Sequence, residues 1–132
     1  MKTITLSGII KSDRHQSNWN TIRLIQEDGY AINLLTRFQE AIDSFSQSKL
    51  TVHYWLAPKP CTKQQMQEEW LKKISGFTSV EFSQNDYQYS EYTSGTDYDT
   101  EFRIGNHNLL KILQTEEGKF LMMELIFDNN QK

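Results

Sequence analysis

Residues 21–34 read TIRLIQEDGYAINL: two apolar-rich segments, Thr21-Ile22-Arg23-Leu24-Ile25 and Tyr30-Ala31-Ile32-Asn33-Leu34, on either side of Glu27-Asp28-Gly29. An Asp-Gly pair supplies the positive φ that a tight reversal needs, so the stretch predicts a β-hairpin. Upstream, Ile4, Leu6 and Ile10 fall on one face at period two, the pattern of a half-buried strand, and Gly8 marks a bulge or a close backbone approach. The chain therefore opens as a three-stranded antiparallel meander.

Beyond the hairpin the period switches to that of a helix. Phe38, Ala41, Ile42 and Phe45 recur at helical spacing behind Thr36 and Gln39, which have the spacing of a capping box, so 36–46 predicts a short amphipathic helix. Residues 49–56 alternate again, with Leu50, Val52, Tyr54 and Leu56 on one face and Thr51, His53 and Trp55 on the other. Pro58 and Pro60 end that strand, and Thr62 with Gln65 opens a second helix carrying Met66, Trp70 and Ile74 as a narrow apolar stripe, with Gly76 as its left-handed stop. Segments 77–82, 87–92 and 98–104 read as strands. Asn106 caps a last short helix bearing Leu109, Leu110 and Leu113, and after the Glu117-Gly118 turn the apolar run 119–127 reads as a central strand covered on both faces.

The order β-β-β-α-β-α-β-β-α-β, with two or three short helices, predicts a small α+β fold on a mostly antiparallel sheet, in a single domain spanning 1–132. Residues 2–56, a meander followed by a helix and a fourth strand, resemble in topology the five-stranded OB-type barrel, with the 58–76 helix as an insertion or appendage. That resemblance implies a closed OB-like barrel; an open sheet with helices on one face fits the same order.

Composition narrows the function classes. A chain that is 37% hydrophobic and 23% charged is neither disordered nor a helical membrane protein, and no apolar run approaches the ~20 residues a spanning helix needs. No membrane partner is expected. The N-terminal MKTITLSGIIKSD alternates like a strand rather than a signal peptide, and the lone Cys61 agrees with a reducing compartment, so the expected address is cytoplasmic. The net charge of −3 is unevenly spread: residues 1–60 are +2 and residues 61–132 are −5.

The acidity peaks between Glu81 and Glu101. Here Glu81, Asp86, Glu91, Asp97, Asp99 and Glu101 interleave with Phe82, Tyr87, Tyr89, Tyr92 and Tyr98, without a single Lys or Arg. Carboxylates make a local negative field and tyrosines give rigid contact area with a polar tip, so this stretch suits a basic protein partner. The leading expectation is a non-enzymatic interaction module, of the inhibitor, immunity or antitoxin kind, that uses this surface. A plain solvated sheet face explains the same pattern.

Two alternatives follow from other residues. Lys11, Arg14, Trp19 and Arg23 cluster around the loop after the first strand, where an OB-type protein contacts single-stranded nucleic acid by stacking and phosphate contacts. An enzyme of unrecognised type is the second alternative, and no catalytic residue is assigned, because no nucleophile elbow or phosphate loop exists. Asp97, Asp99 and Glu101 mimic the start of a Ca²⁺ loop, but Phe102 stands where that loop turns on Gly and Asn108 where it needs a bidentate Glu. His15, His53 and His107 have no second ligand at metal spacing. Neither a metal nor a cofactor is expected.

Overall fold

The hairpin forms as its residues require. In the computed structural model, which describes residues 2–14, 20–34, 36–37, 40–41, 49–84, 87–94, 97–104 and 107–128, strands β2 (Asn20–Ile25) and β3 (Ala31–Asn33) pair antiparallel around Gly29 at φ 87°. Gln26 N–H donates to Tyr30 O at 2.9 Å, and Asp28 Oδ1 accepts from Tyr30 N–H at 3.0 Å. Asp28 thus closes the turn it starts.

Strand β1 (Lys2–Arg14) is long because it serves two partners in succession. Residues 2–9 pair with the C-terminal strand β9 (Phe120–Asp128), and residues 9–14 pair with β2. With β4 (Lys49–Ala57) and β5 (Thr78–Gln84), these strands make a six-stranded, wholly antiparallel sheet in the order β3-β2-β1-β9-β4-β5. The sheet is open, and the expected OB-like barrel does not form. The far edge of the opening meander is taken by β9, so the fourth strand never meets the first and β3 and β5 remain at opposite edges.

A second sheet contains β6 (Tyr87–Ser94), β7 (Asp97–Ile104) and the two-residue β8 (His107–Asn108). Helix α1 (Lys63–Leu71) follows β4, and helix α2 (Leu109–Gln114) precedes β9. The strand β7 contacts both α2 and β2. The architecture is α+β, antiparallel sheet with short helices.

The alternation read in β4 and β9 sorts the core. Leu50, Val52, Tyr54, Leu56, Leu121, Met123, Leu125 and Phe127 are buried on one face with Leu6, Ile10, Ile22 and Leu24, covered by Leu34, Ala41, Leu109 and Leu113. On the other face Trp55, Ala57, Met66 and Phe120 form a second, smaller cluster, with Ile9, Cys61, Phe77 and Met122 packed against it. The central strand β9 is therefore covered on both faces along only part of its length.

Two helix boundaries differ from expectation. Leu34, Thr36, Arg37, Glu40 and Ala41 are helical, and Asn33 Oδ1 accepts from Thr36 N–H at 3.2 Å, so Asn33 and not Thr36 is the cap. Phe38, Gln39, Ile42 and Phe45 of that expected helix lie outside the described residues. The capping box of α1 is present, with Gln65 N–H donating to Thr62 Oγ1 at 3.1 Å and Thr62 N–H to Gln65 Oε1 at 3.0 Å. The same helix stops earlier than Gly76: Lys73 takes the left-handed conformation at φ 58°, with its N–H on Trp70 O at 2.9 Å. Ile74 is thereby taken off the helix, and the apolar stripe shortens to Met66 and Trp70.

Candidate functional site

The pairing of β6 with β7 decides what the acidic, tyrosine-rich segment offers. Tyr87 opposes Ile104, Tyr89 opposes Phe102, Glu91 opposes Thr100, Thr93 opposes Tyr98, Tyr92 opposes Asp99 and Ser90 opposes Glu101. Residues opposed across an antiparallel ladder share a face, and alternate residues share it too. Two rows result. One holds Tyr87, Tyr89, Glu91, Tyr98, Phe102 and Ile104; the other holds Tyr92, Asp97, Asp99 and Glu101, with Arg103 at its end.

The register thus separates most of the tyrosines from most of the carboxylates. Tyr92 alone among the tyrosines joins the acidic row, and Glu91 alone among the carboxylates of this hairpin joins the aromatic one. Glu81 lies apart from both, on β5 in the large sheet, and Asp86 is outside the described residues.

Glu81 belongs to a different arrangement. It opposes His53 across β4–β5, with Glu81 Oε2 3.5 Å from His53 Nδ1, while His53 Nε2 is hydrogen-bonded to Ser79 Oγ at 2.9 Å. The His53 ring lies against the Trp55 indole, centroids 4.6 Å apart, and Thr51 and Ser83 hydroxyls pair at 2.7 Å in the next rung. On the other side of His53 in register is Glu124, which takes a 2.8 Å ion pair from Lys63 of α1. This is a continuous polar strip beside the small apolar cluster.

Ser79, His53 and Glu81 stand in the order of nucleophile, base and orienting carboxylate. The strip lines neither of the two grooves that flank Pro60 and Cys61. The arrangement orients His53 and ties β5 to β4. Its partners were not legible in the sequence, because Ser79 is 26 residues from His53 and only the strand register brings them together.

Of the basic candidates, Lys11 and Arg23 are directly opposed across β1–β2, and Arg14 opposes Asn20 at the end of the same ladder. Lys11 is exposed and Arg23 half-buried. Trp19, the expected stacking residue, lies outside the described residues.

The first of the two grooves has a volume of about 550 Å³ and runs between the β2–β3 turn and the Pro60–Cys61 segment. Ile9, Ile25, Phe120 and Met122 line it with Ser7, Gly8, Gln26, Glu27 and Asp28. The second, about 470 Å³, lies between Lys59, Gln65, Glu69, Ile74 and Phe77. Cys61 borders both, half-buried, its thiol on Lys59 O at 3.2 Å. Sequence reasoning took Glu27 and Asp28 only as turn residues. Among the described residues no helix is long and apolar enough to cross a membrane. No protein-family model, no curated protein and no solved structure matches the chain.

Proposed function

We propose that this chain is a non-enzymatic interaction module, of the inhibitor, immunity or antitoxin kind, that engages a basic protein partner through the acidic row of its β6–β7 hairpin. The observation that supports this reading is the register itself, which lines up Asp97, Asp99 and Glu101 on one face with Tyr92 opposite Asp99. Alternate strand positions are about 7 Å apart, and unit charges at that spacing repel by about 0.6 kcal/mol even in water. A cationic partner relieves that repulsion, steers encounter from a distance, and leaves Tyr92 as the amphipathic anchor within the charged row.

The test is affinity capture of a basic protein by the wild-type chain and by the triple variant Asp97→Asn, Asp99→Asn, Glu101→Gln. Recovery falls for the variant if the acidic row is the contact surface. Equal recovery, with circular dichroism unchanged, removes the proposal.

A second reading rests on Lys11 opposite Arg23. Lys11 is exposed, and phosphate contacts to cations on these two adjacent strands would release counterions. Single-stranded nucleic acid bound there leaves a steep salt dependence as its signature.

A further inference from the structure

We propose that the groove between the β2–β3 turn and the Pro60–Cys61 segment is a binding site for a small organic cation with an apolar body. The inference is independent of the acidic hairpin. Its volume of about 550 Å³ falls in the range that holds small ligands, and its composition follows the usual division of labour, an apolar floor with a few polar groups at one end.

The floor is Ile9, Ile25, Phe120 and Met122, drawn from three adjacent strands. Gly8 borders it where β1 comes close to β2: a Cβ there would stand 2.9 Å from Leu24 and from Ile25 O.

The polar end is Glu27 and Asp28 on the tight turn. Both are exposed, and neither has an ion-pair partner among the described residues. Lys11 and Arg23 lie two residues along the same face from Ile9 and Ile25, beyond the opposite end. A bound amine points its charge toward Glu27 and Asp28 and its body over Phe120 and Met122. An apolar body displaces water from the floor, and the carboxylates select charge at the rim.

The probe is 2-phenylethylamine, protonated at neutral pH, compared with its uncharged analogue 2-phenylethanol. Methyl NMR of Met122, Ile9 and Ile25 reports the groove, while Met123 on the opposite face serves as the internal control. The amine is expected to give saturable shifts at the groove methyls and to slow iodoacetamide alkylation of Cys61. The double variant Glu27→Gln, Asp28→Asn retains the side-chain oxygen that accepts from Tyr30 N–H; it should weaken amine binding by about fivefold, one rim charge interaction's worth, and leave the alcohol unaffected. Equal affinity for amine and alcohol, equal binding by the double variant, shifts that spread to Met123, or no saturable shift would each overturn the proposal.

Discussion

Gly8 and Leu24 approach too closely for position 8 to carry any side chain: a Cβ there would lie 2.9 Å from both the Leu24 Cβ and its carbonyl carbon. The contact sits where β1 passes from β9 to β2. The same glycine holds φ at 154°, which a side-chain-bearing residue resists. Gly8→Ala should therefore destabilise by about 1–3 kcal/mol or more, through overpacking against backbone that has little room to move. Urea unfolding measures this; a loss under about 0.5 kcal/mol would show that the strands separate freely here.

The two apolar residues of α1 should differ in weight. Met66 is fully buried with Trp55, Ala57 and Phe120, whereas Trp70 is 41% exposed and meets Trp55 edge-on, ring centroids 5.8 Å apart at 83°. Met66→Ala is expected to cost about 2–5 kcal/mol, and Trp70→Ala about 1–3 kcal/mol, since it forfeits part of its burial and one aromatic pair. Denaturant midpoints of the two variants check the order. A Trp70 variant less stable than the Met66 variant would mean that the helix is held mainly by its indole contact.

Tyr54 gives a pH dependence with a definite sign. Burial, reinforced by the nearby Glu116 carboxylate, raises its phenol above the ordinary value of 10.0. The native state thus keeps the proton longer than the unfolded chain does, so this contribution to stability is whole below pH 10 and is lost as pH rises through the folded-state value. Unfolding free energies measured across the alkaline range should fall more steeply for wild type than for Tyr54→Phe. Parallel curves would contradict the assignment.

The nucleic-acid reading is tested at low salt, where its electrostatic component is largest. An oligonucleotide that binds at Lys11 and Arg23 should lose affinity as salt rises, with a shallower slope for Lys11→Gln. Absence of binding by fluorescence anisotropy at low salt removes it.

What could be read along the chain was local. The Asp28-Gly29 reversal, the Thr62–Gln65 capping box and the alternation of Leu50 to Leu56 each depend on residues within a few positions of one another, and each forms. What escaped reading was register between distant segments. The apolar run of β9 announced a central strand but not that it would insert between β1 and β4, which is what keeps the sheet open. Asn33 and Thr36 both have capping side chains, and the choice fell to Asn33 because β3 ends there. In the acidic segment the alternation was visible, yet which tyrosine joins which carboxylate is set by the β6–β7 pairing, and it singles out Tyr92.

The central claim, that the acidic row of the β6–β7 hairpin is the partner-binding surface, is tested most directly by association and dissociation kinetics with the captured basic protein. Neutralising Asp97 and Asp99 to Asn should slow association about tenfold at low salt and flatten its salt dependence, whereas Tyr92→Ala should chiefly speed dissociation. Tyr89→Ala, on the opposite row of the ladder, should leave both rates unchanged. Kinetics in which the Asp97/Asp99 and Tyr92 variants match wild type, or in which Tyr89→Ala alone weakens the complex, would contradict the claim.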